Sequence, residues 1–466
     1  MVKLYNTLTR TNETLKSAKG KALKLYTCGL TVYSQPHIGN WVSYIYWDVL
    51  VRLLKQHGYE VSRVQNITDV GHLVSDDDDG EDKMQKGAKK EGITAWDVAE
   101  KYITIAEHEA YELLGLMRPD EMPRATDYID QQISFVQELE RAGYTYQIDD
   151  DGIYFDTSKL DDYGKLAQLD IAGLKQGARV KNDHKRNVTD FAVWKFSPKD
   201  QKRDMEWDSP WGMGFPGWHL ECSVMAREIL GDQIDIHTGG VDHIAVHHSN
   251  EIAQTEAITK KPFSKLWLHN NHLKVDGAKM AKSTGNIYTL DDIQNRGYST
   301  DAFKLLVLSS HYRTEGNFTW DILEAANSRL ISLQQSADMQ FQPKNIDPWL
   351  DASQWRLTIL SALDDDLNTP KVLSMLSELA QQCGDRLLSE EDILELKVLL
   401  QFIDDVLGLS LTQRSDLSNE QLQLLDRRSV ARKDKDFSAS DELRDALLAS
   451  GVAVRDTAHG QIWSRV

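Results

Sequence analysis

Cysteine is nearly absent from this chain: Cys28, Cys222 and Cys383 are all that its 466 residues contain. An odd number of widely scattered thiols excludes a disulfide framework of the secreted type. Positive charge is also short, with 53 Lys and Arg against 72 Asp and Glu and a formal net charge of −19. That balance excludes a generally basic nucleic-acid coat protein, although a local basic face still suffices to engage phosphates. Long apolar runs are missing too. The opening "MVKLYNTLTRTNETLK" lacks a signal-peptide core, and no segment is long enough to span a bilayer. These absences lead us to expect a soluble, reduced, cytoplasmic protein with no membrane partner. The chain length implies roughly two to four domains.

What is present alternates between strand and helix patterns. "KALKLYTCGL" reads as a strand, residues 41–58 as a helix and "YEVSRVQNIT" as a second strand, the order of a parallel sheet with helical crossovers. The carboxylate run "SDDDDGEDK" at residues 75–83 reads as a solvated loop, because like charges at that density repel. From residue 119 the texture changes to a helix ending near Gly143 and then a hairpin signalled by Asp151-Gly152. The α/β pattern returns with "QIDIHTGGVDH", and after "NFTWDILEAANSRL" the chain reads as helices. Thr369-Pro370 is a helix start, and Cys383 falls in the helix behind it as a small buried hydrophobe. The expected fold class is α/β: a Rossmann-type parallel-sheet catalytic domain (1–118 and 206–312) with an inserted connective domain (119–205). An all-α helical bundle (313–412) and a small C-terminal domain (413–466) follow.

Two short segments carry the chemistry. His37-Ile38-Gly39-Asn40 lies where a strand gives way to a helix, and unpaired N–H groups there favour an anion. Gly39 lets a nucleotide approach the backbone, while His37 and Asn40, three apart, project to one side and can both donate hydrogen bonds. In "DGAKMAKSTGN", Lys279 and Lys282 sit in a small-residue loop where two ammonium groups can neutralise triphosphate charge. Taken singly, these segments read first as an ordinary helix start and an ordinary lysine-bearing surface loop. In this order on an α/β background they favour a functional pair over two ordinary segments. Asp242, after the Gly239-Gly240 turn, is placed to bind ribose hydroxyls.

The pair resembles the HIGH and KMSKS signatures of class I aminoacyl-tRNA synthetases. "TCGLTVYSQPHIGN", "NITDV", "DFAVWKFSP", "SPWGMGFPGWHLECS", "DIHTGGVDH", "HHSNEIAQ", "DDDLNTP" and "KDFSASDELRD" are similar to the cysteinyl-tRNA synthetase family, in family order along nearly the whole chain. The resemblance implies one Zn²⁺ held by Cys28, Cys222, His247 and Glu251. It further implies a cysteine pocket shaped by Gly29, Thr68, Trp218 and His237, and ATP, with Mg²⁺, on Leu30, His37, Gly39, Asn40, Asp242 and Lys282. Spacing by itself says only that His247 and Glu251 share a helix face. Cysteine and serine differ by one atom, and an apolar pocket separates such near-isosteres by only about two orders of magnitude. A soft-binding metal separates them far better.

The implied reaction joins L-cysteine to tRNA(Cys) through a cysteinyl-adenylate. His37 and Asn40 are expected at the α-phosphate, and Lys279 and Lys282 at the departing pyrophosphate. Asn40 stands where the signature usually has His, which keeps a hydrogen-bond donor but removes any imidazolium. Ala281 replaces a serine and Ser249 a glutamate of the usual pattern. A basic cluster at Arg427, Arg428, Arg432, Lys433 and Lys435, with Trp463 as a base-stacking ring, is expected to meet the tRNA. Two other readings share much of this pattern, a cysteine-activating amide ligase of the mycothiol type and a silent tRNA-binding paralogue. The C-terminal basic segment argues against the first, and the intact lysines and zinc set against the second. The family expectation for the assembly is a monomer.

Overall fold

Four short apolar strands build the sheet on which the candidate site rests. The structure is a computed structural model that describes residues 1–16, 22–70, 82–169, 184–198, 203–280, 285–342, 347–457 and 460–465. Strands Ser264–Asn270, Ile234–Gly240, Leu23–Thr27 and Val61–Gln65 lie side by side in that order, all parallel. The third of these is an interior strand, which is why LKLYT is almost continuously apolar and buried. The register sets Tyr26 opposite His237 and His237 opposite Trp267. Tyr26 and Trp267 are fully buried, and burying an aromatic side chain of this size is worth on the order of 5 kcal/mol.

Helix Ile38–Gln56 joins Leu23–Thr27 to Val61–Gln65. Ile38, Trp41, Val42, Ile45, Val49 and Leu53 recur at three- and four-residue intervals and are all buried. The helix stops at Gly58, which takes a φ of +75°. An antiparallel sheet of Thr145–Ile148, Gly152–Phe155, Phe191–Phe196 and Gly214–Pro216 falls between the second and third strands of the parallel one in the chain. Its first turn occupies residues 149–151, with Asp150 at φ 58°, and Gly152 already pairs with Ile148. The expected hairpin is there, one residue earlier than the Asp151-Gly152 step suggests. Most of the acidic run at 75–83 lies outside the described residues.

The chain divides into two compact units, Met1–Asn295 with Tyr312–Asn317, and Arg296–His311 with Phe318–Val466. The second is mainly helical and ends in a hairpin, Val452–Thr457 with Gly460–Arg465. Its helix Thr369–Asp385 begins where Thr369-Pro370 indicated, capped by Asn368, whose side chain accepts the Lys371 N–H. Cys383 is buried in that helix, and burial pushes its thiol up to about 12, so it is packing rather than chemistry. No helix among the described residues is long and apolar enough to cross a membrane.

Asp392 locks the start of helix Glu390–Leu407. Its carboxylate accepts backbone N–H groups of Trp349 (2.8 Å), Leu350 (2.7 Å) and Ser389 (2.9 Å). Desolvation pushes this carboxyl up, but the three donors outweigh it and leave it below the usual carboxylate range. Asp392→Ala is expected to cost about 1–3 kcal/mol in denaturant unfolding at pH 7, since three N–H groups lose their acceptor. The group contributes fully above its unfolded value of about 4 and loses that contribution as pH falls through its lower folded value. The deficit of the variant should therefore shrink in acid; a deficit independent of pH would contradict this origin.

Candidate active site

Residues far apart in the chain converge at the C-terminal ends of the parallel strands, where open α/β sheets place their ligands. Cys28 follows strand Leu23–Thr27 directly; its N–H donates to the Thr238 carbonyl at 3.2 Å, and Tyr44 donates to its own carbonyl at 3.2 Å. Cys222 comes from helix Trp218–Leu230, and His247 and Glu251 from the first turns of helix His247–Thr259. Donor atoms of these four residues all lie within 4.8 Å of one another, and all four residues are buried. Cys28, His237, His248 and Glu251 form an overlapping second set of the same kind.

Glu251 is gripped from two sides. His237 Nε2 is 2.7 Å from Oε2, and His247 Nε2 is 2.9 Å from Oε1. Burial opposes the charge on this carboxylate, but His237 and His247 more than offset it and hold Glu251 well below the usual range. Burial likewise works against charge on His247, yet Glu251 and Cys222 raise it to about 10. The two thiols split: the hydrogen bond with Cys28 draws Cys222 down to about 7, while burial and Cys222 push Cys28 up. Two thiols, an imidazole and a carboxylate, buried together, are a donor set that fits Zn²⁺.

His248 faces Cys28 Sγ at 3.3 Å and shares a hydrogen with His269 Nε2 at 2.8 Å; His269 Nδ1 does the same with Thr7 Oγ1 at 2.8 Å. Sequence reasoning passed over His248, His269 and His219. The doubled histidine of "HHSNE" was the one visible hint. His237, which the resemblance puts in the cysteine pocket, is fully buried, stacked on Trp267 at 4.5 Å and bonded to Glu251. Trp218 is half-buried, with its ring 4.7 Å from that of His247. Thr68 is buried and Leu30 half-buried, joined by a Thr68 N–H to Leu30 carbonyl bond of 3.1 Å.

Asn66 organises this edge. It accepts the Gly29 N–H at 2.8 Å and donates to Thr68 Oγ1 at 3.0 Å. Gly29 must be glycine, because a Cβ there would lie 1.5 Å from the Asn66 carbonyl oxygen. Asp242 is exposed, on the turn that follows strand Ile234–Gly240.

His37 is the extended residue just before helix Ile38–Gln56, and its N–H donates to Asn40 Oδ1 at 2.9 Å. The Asn at this position thus closes the first turn. Gly39 underlies Met280, and a Cβ on it would come within 2.1 Å of the Met280 methyl. Ile38 donates its N–H to Tyr288 at 2.8 Å. The two signature segments therefore meet. Lys279 is exposed, whereas Lys282 and Ala281 lie outside the described residues.

The C-terminal expectations need correction at two residues. Trp463 is only 8% exposed and packs in a small core with Leu417, Leu425, Leu447 and Val452, so its ring is not presented to a base. Arg428 is 3% exposed and gives both guanidinium arms to Asp456, at 2.9 and 3.0 Å. Arg427, Arg432, Lys433 and Lys435 are exposed, with Arg432 also reaching Asp456 at 3.1 Å. The exposed aromatic ring beside them is Phe437, 58% exposed, with the Arg432 guanidinium 5.7 Å from its centroid.

Solved structures share this architecture. A Mycobacterium tuberculosis methionyl-tRNA synthetase in complex with methionyl-adenylate matches 90% of this chain and 96% of its own at a TM-score of 0.59 and 15% identity. A putative arginyl-tRNA synthetase from Campylobacter jejuni matches 86% and 95% at a TM-score of 0.53 and 14% identity. The fold is that of a class I aminoacyl-tRNA synthetase. Family models for the tRNA synthetases class I (C) catalytic domain, the DALR domain and the Cysteinyl-tRNA ligase anticodon binding domain match residues 14–328, 359–412 and 414–463. The chain is 44% identical to cysteine–tRNA ligase 1 of Burkholderia lata, over 98% of this chain and 96% of that one. It is 38% identical to the cysteine–tRNA ligase of Treponema denticola over 100% of both. This chain belongs to the cysteinyl-tRNA synthetase family.

Because Asn66 holds both Gly29 and Thr68, Asn66→Ala should destabilise the protein by about 1–3 kcal/mol, the cost of a buried donor left without an acceptor. Thermal or urea unfolding of the variant checks this, and an unchanged midpoint would show that the two bonds carry no weight.

Proposed function

We propose that the protein ligates L-cysteine to tRNA(Cys) at the expense of ATP, as a monomer in the cytoplasm. The observation that carries this reading is relatedness to cysteine–tRNA ligases from end to end, including the anticodon-domain match at residues 414–463. The last of these favours a tRNA over the amino sugar of an amide ligase.

The cysteine carboxylate attacks the α-phosphate in line, forming the P–O bond of cysteinyl-adenylate as pyrophosphate leaves. A ribose hydroxyl of the terminal adenosine then attacks the anhydride carbonyl and releases AMP. No protein nucleophile is required, since positioning and charge neutralisation suffice. His37 and the amide of Asn40 hold the α-phosphate region, Gly39 leaves the gap through which Met280 covers the helix start, and Asp242 accepts the ATP ribose hydroxyls. Lys279 and Lys282 balance the pyrophosphate charge, and Mg²⁺ accompanies the nucleotide. Gly29, Thr68 and Trp218 shape the amino-acid pocket beside the buried cluster. Cys28, Cys222, His247 and Glu251 would hold Zn²⁺, with His237 orienting Glu251 from behind. Bound there, Zn²⁺ would accept the substrate thiolate as a further ligand and so discriminate against serine.

Cysteine-dependent exchange of pyrophosphate into ATP, together with charging of tRNA, tests the activity. Absence of exchange would favour a silent paralogue, and exchange without charging an amide ligase. One zinc per chain is expected by elemental analysis, with most of it lost from Cys222→Ser. Retained zinc and unchanged cysteine-over-serine selectivity in that variant would refute the metal assignment. On the tRNA side, Arg427, Arg432, Lys433 and Lys435 meet phosphates and Phe437, not Trp463, stacks on a base. Phe437→Ala is expected to raise KM for tRNA about tenfold, the scale of one lost stacking contact; an unaltered KM would exclude that role.

A further inference from the structure

We infer that Gln35 is a positioning residue that clamps the exit of the Lys279-bearing loop to the turn carrying His37. The inference rests on the activity proposed above, but neither Gln35 nor its partners belong to His37-Ile38-Gly39-Asn40 or to the lysine-bearing signature. Gln35 stands two residues before His37, separated from it by Pro36, whose ring limits the backbone of this short run. Its side-chain Nε2 donates to Glu109 Oε1 at 3.1 Å and to Asp291 Oδ2 at 2.9 Å. A primary amide has two N–H bonds on one nitrogen, so one side chain can bridge two carboxylates.

The two partners anchor different parts of the site. Glu109 is 2% exposed on the π-helical turn His108–Leu113, and its other oxygen takes the indole N–H of Trp41 at 2.8 Å. It is therefore fastened to the signature helix one residue beyond Asn40. Asp291 is exposed in the first turn of helix Leu290–Asn295, which follows the loop. Ile38 N–H to the Tyr288 carbonyl, at 2.8 Å, is a second stitch between the same segments. Glu109 and Asp291 repel each other. Burial raises the Glu109 carboxyl, the bonds from Gln35 and Trp41 pull it back, and the Asp291 charge adds to the rise. Without the Gln35 amide, two carboxylates converge with no donor between them, and helix Leu290–Asn295 loses one of its ties. Tyr288 and helix Leu290–Asn295 are then held less firmly against the His37 turn, and the exposed Lys279 ammonium meets the triphosphate less often in productive register.

The test compares pyrophosphate exchange by the wild-type protein, Gln35→Leu, Gln35→Glu, Asp291→Ala and the Gln35→Leu/Asp291→Ala double variant, each checked for folding by thermal unfolding. Gln35→Leu is expected to lower kcat about tenfold, about 1.4 kcal/mol, with KM for cysteine within about twofold of wild type. Gln35→Glu keeps the shape but adds a third carboxylate, so it should lose more. Asp291→Ala should lose less, and the double variant no more than Gln35→Leu, because one bridge cannot be cut twice. Asp291 is exposed, so its variant keeps the test decisive should Gln35→Leu fail to fold. Wild-type exchange with an unaffected Gln35→Leu overturns the clamp alone. So do losses that multiply in the double variant, or a cysteine KM that rises as kcat falls. A wild-type protein that exchanges nothing with cysteine overturns the activity and, with it, any role of the clamp in it.

Discussion

The carboxylate of Glu251 is the interaction around which the catalytic unit is organised. A lone buried carboxylate would be driven to its neutral form, because desolvation of a charge is costly. Here His237 and His247 hold it ionised from opposite sides, at 2.7 and 2.9 Å. Those two histidines arrive on a strand and a helix, so satisfying one charge fixes how strand Ile234–Gly240 and helix His247–Thr259 pack. Cys28 and Cys222 are then brought into the same buried space from two further elements. The chain accepts a concentration of polar groups in its core, which points to a use for them beyond stability.

Beside this buried centre the two signature segments meet. The His37 turn is closed by Asn40 and covered by Met280 through a gap that only glycine leaves at position 39. In the function proposed, recognition of a small amino acid relies on fixed distances and nucleotide turnover on contacts that can be remade.

In the C-terminal region, reading residue types without their packing was misleading. An aromatic residue and five basic ones looked like a nucleic-acid surface. Folding turns Trp463 into a core residue and spends Arg428 on Asp456, while Phe437, which the sequence did not mark as a stacking ring, stays outside beside Arg432. Residue type alone does not distinguish Trp463, in strand Gly460–Arg465, from Phe437, at the start of helix Phe437–Ala449. The strand periodicity that buries one and the helix start that exposes the other become visible only when their neighbours are known.

Local pattern marked strands Leu23–Thr27 and Val61–Gln65, the helix between them, the helix start at Thr369-Pro370 and the signature segments. Hydrophobic period, Pro placement and helix-start residues act over a few positions, which is why these were legible. It also put His247 and Glu251 on one helix face, but it missed the C-terminal hairpin in a stretch that reads as helices. That Cys28 and Cys222 meet them, that His237 and His248 back the cluster, and that Gln35 bridges Glu109 and Asp291 are long-range facts. Such contacts depend on how separate elements pack, and no short stretch of residues encodes that packing by itself.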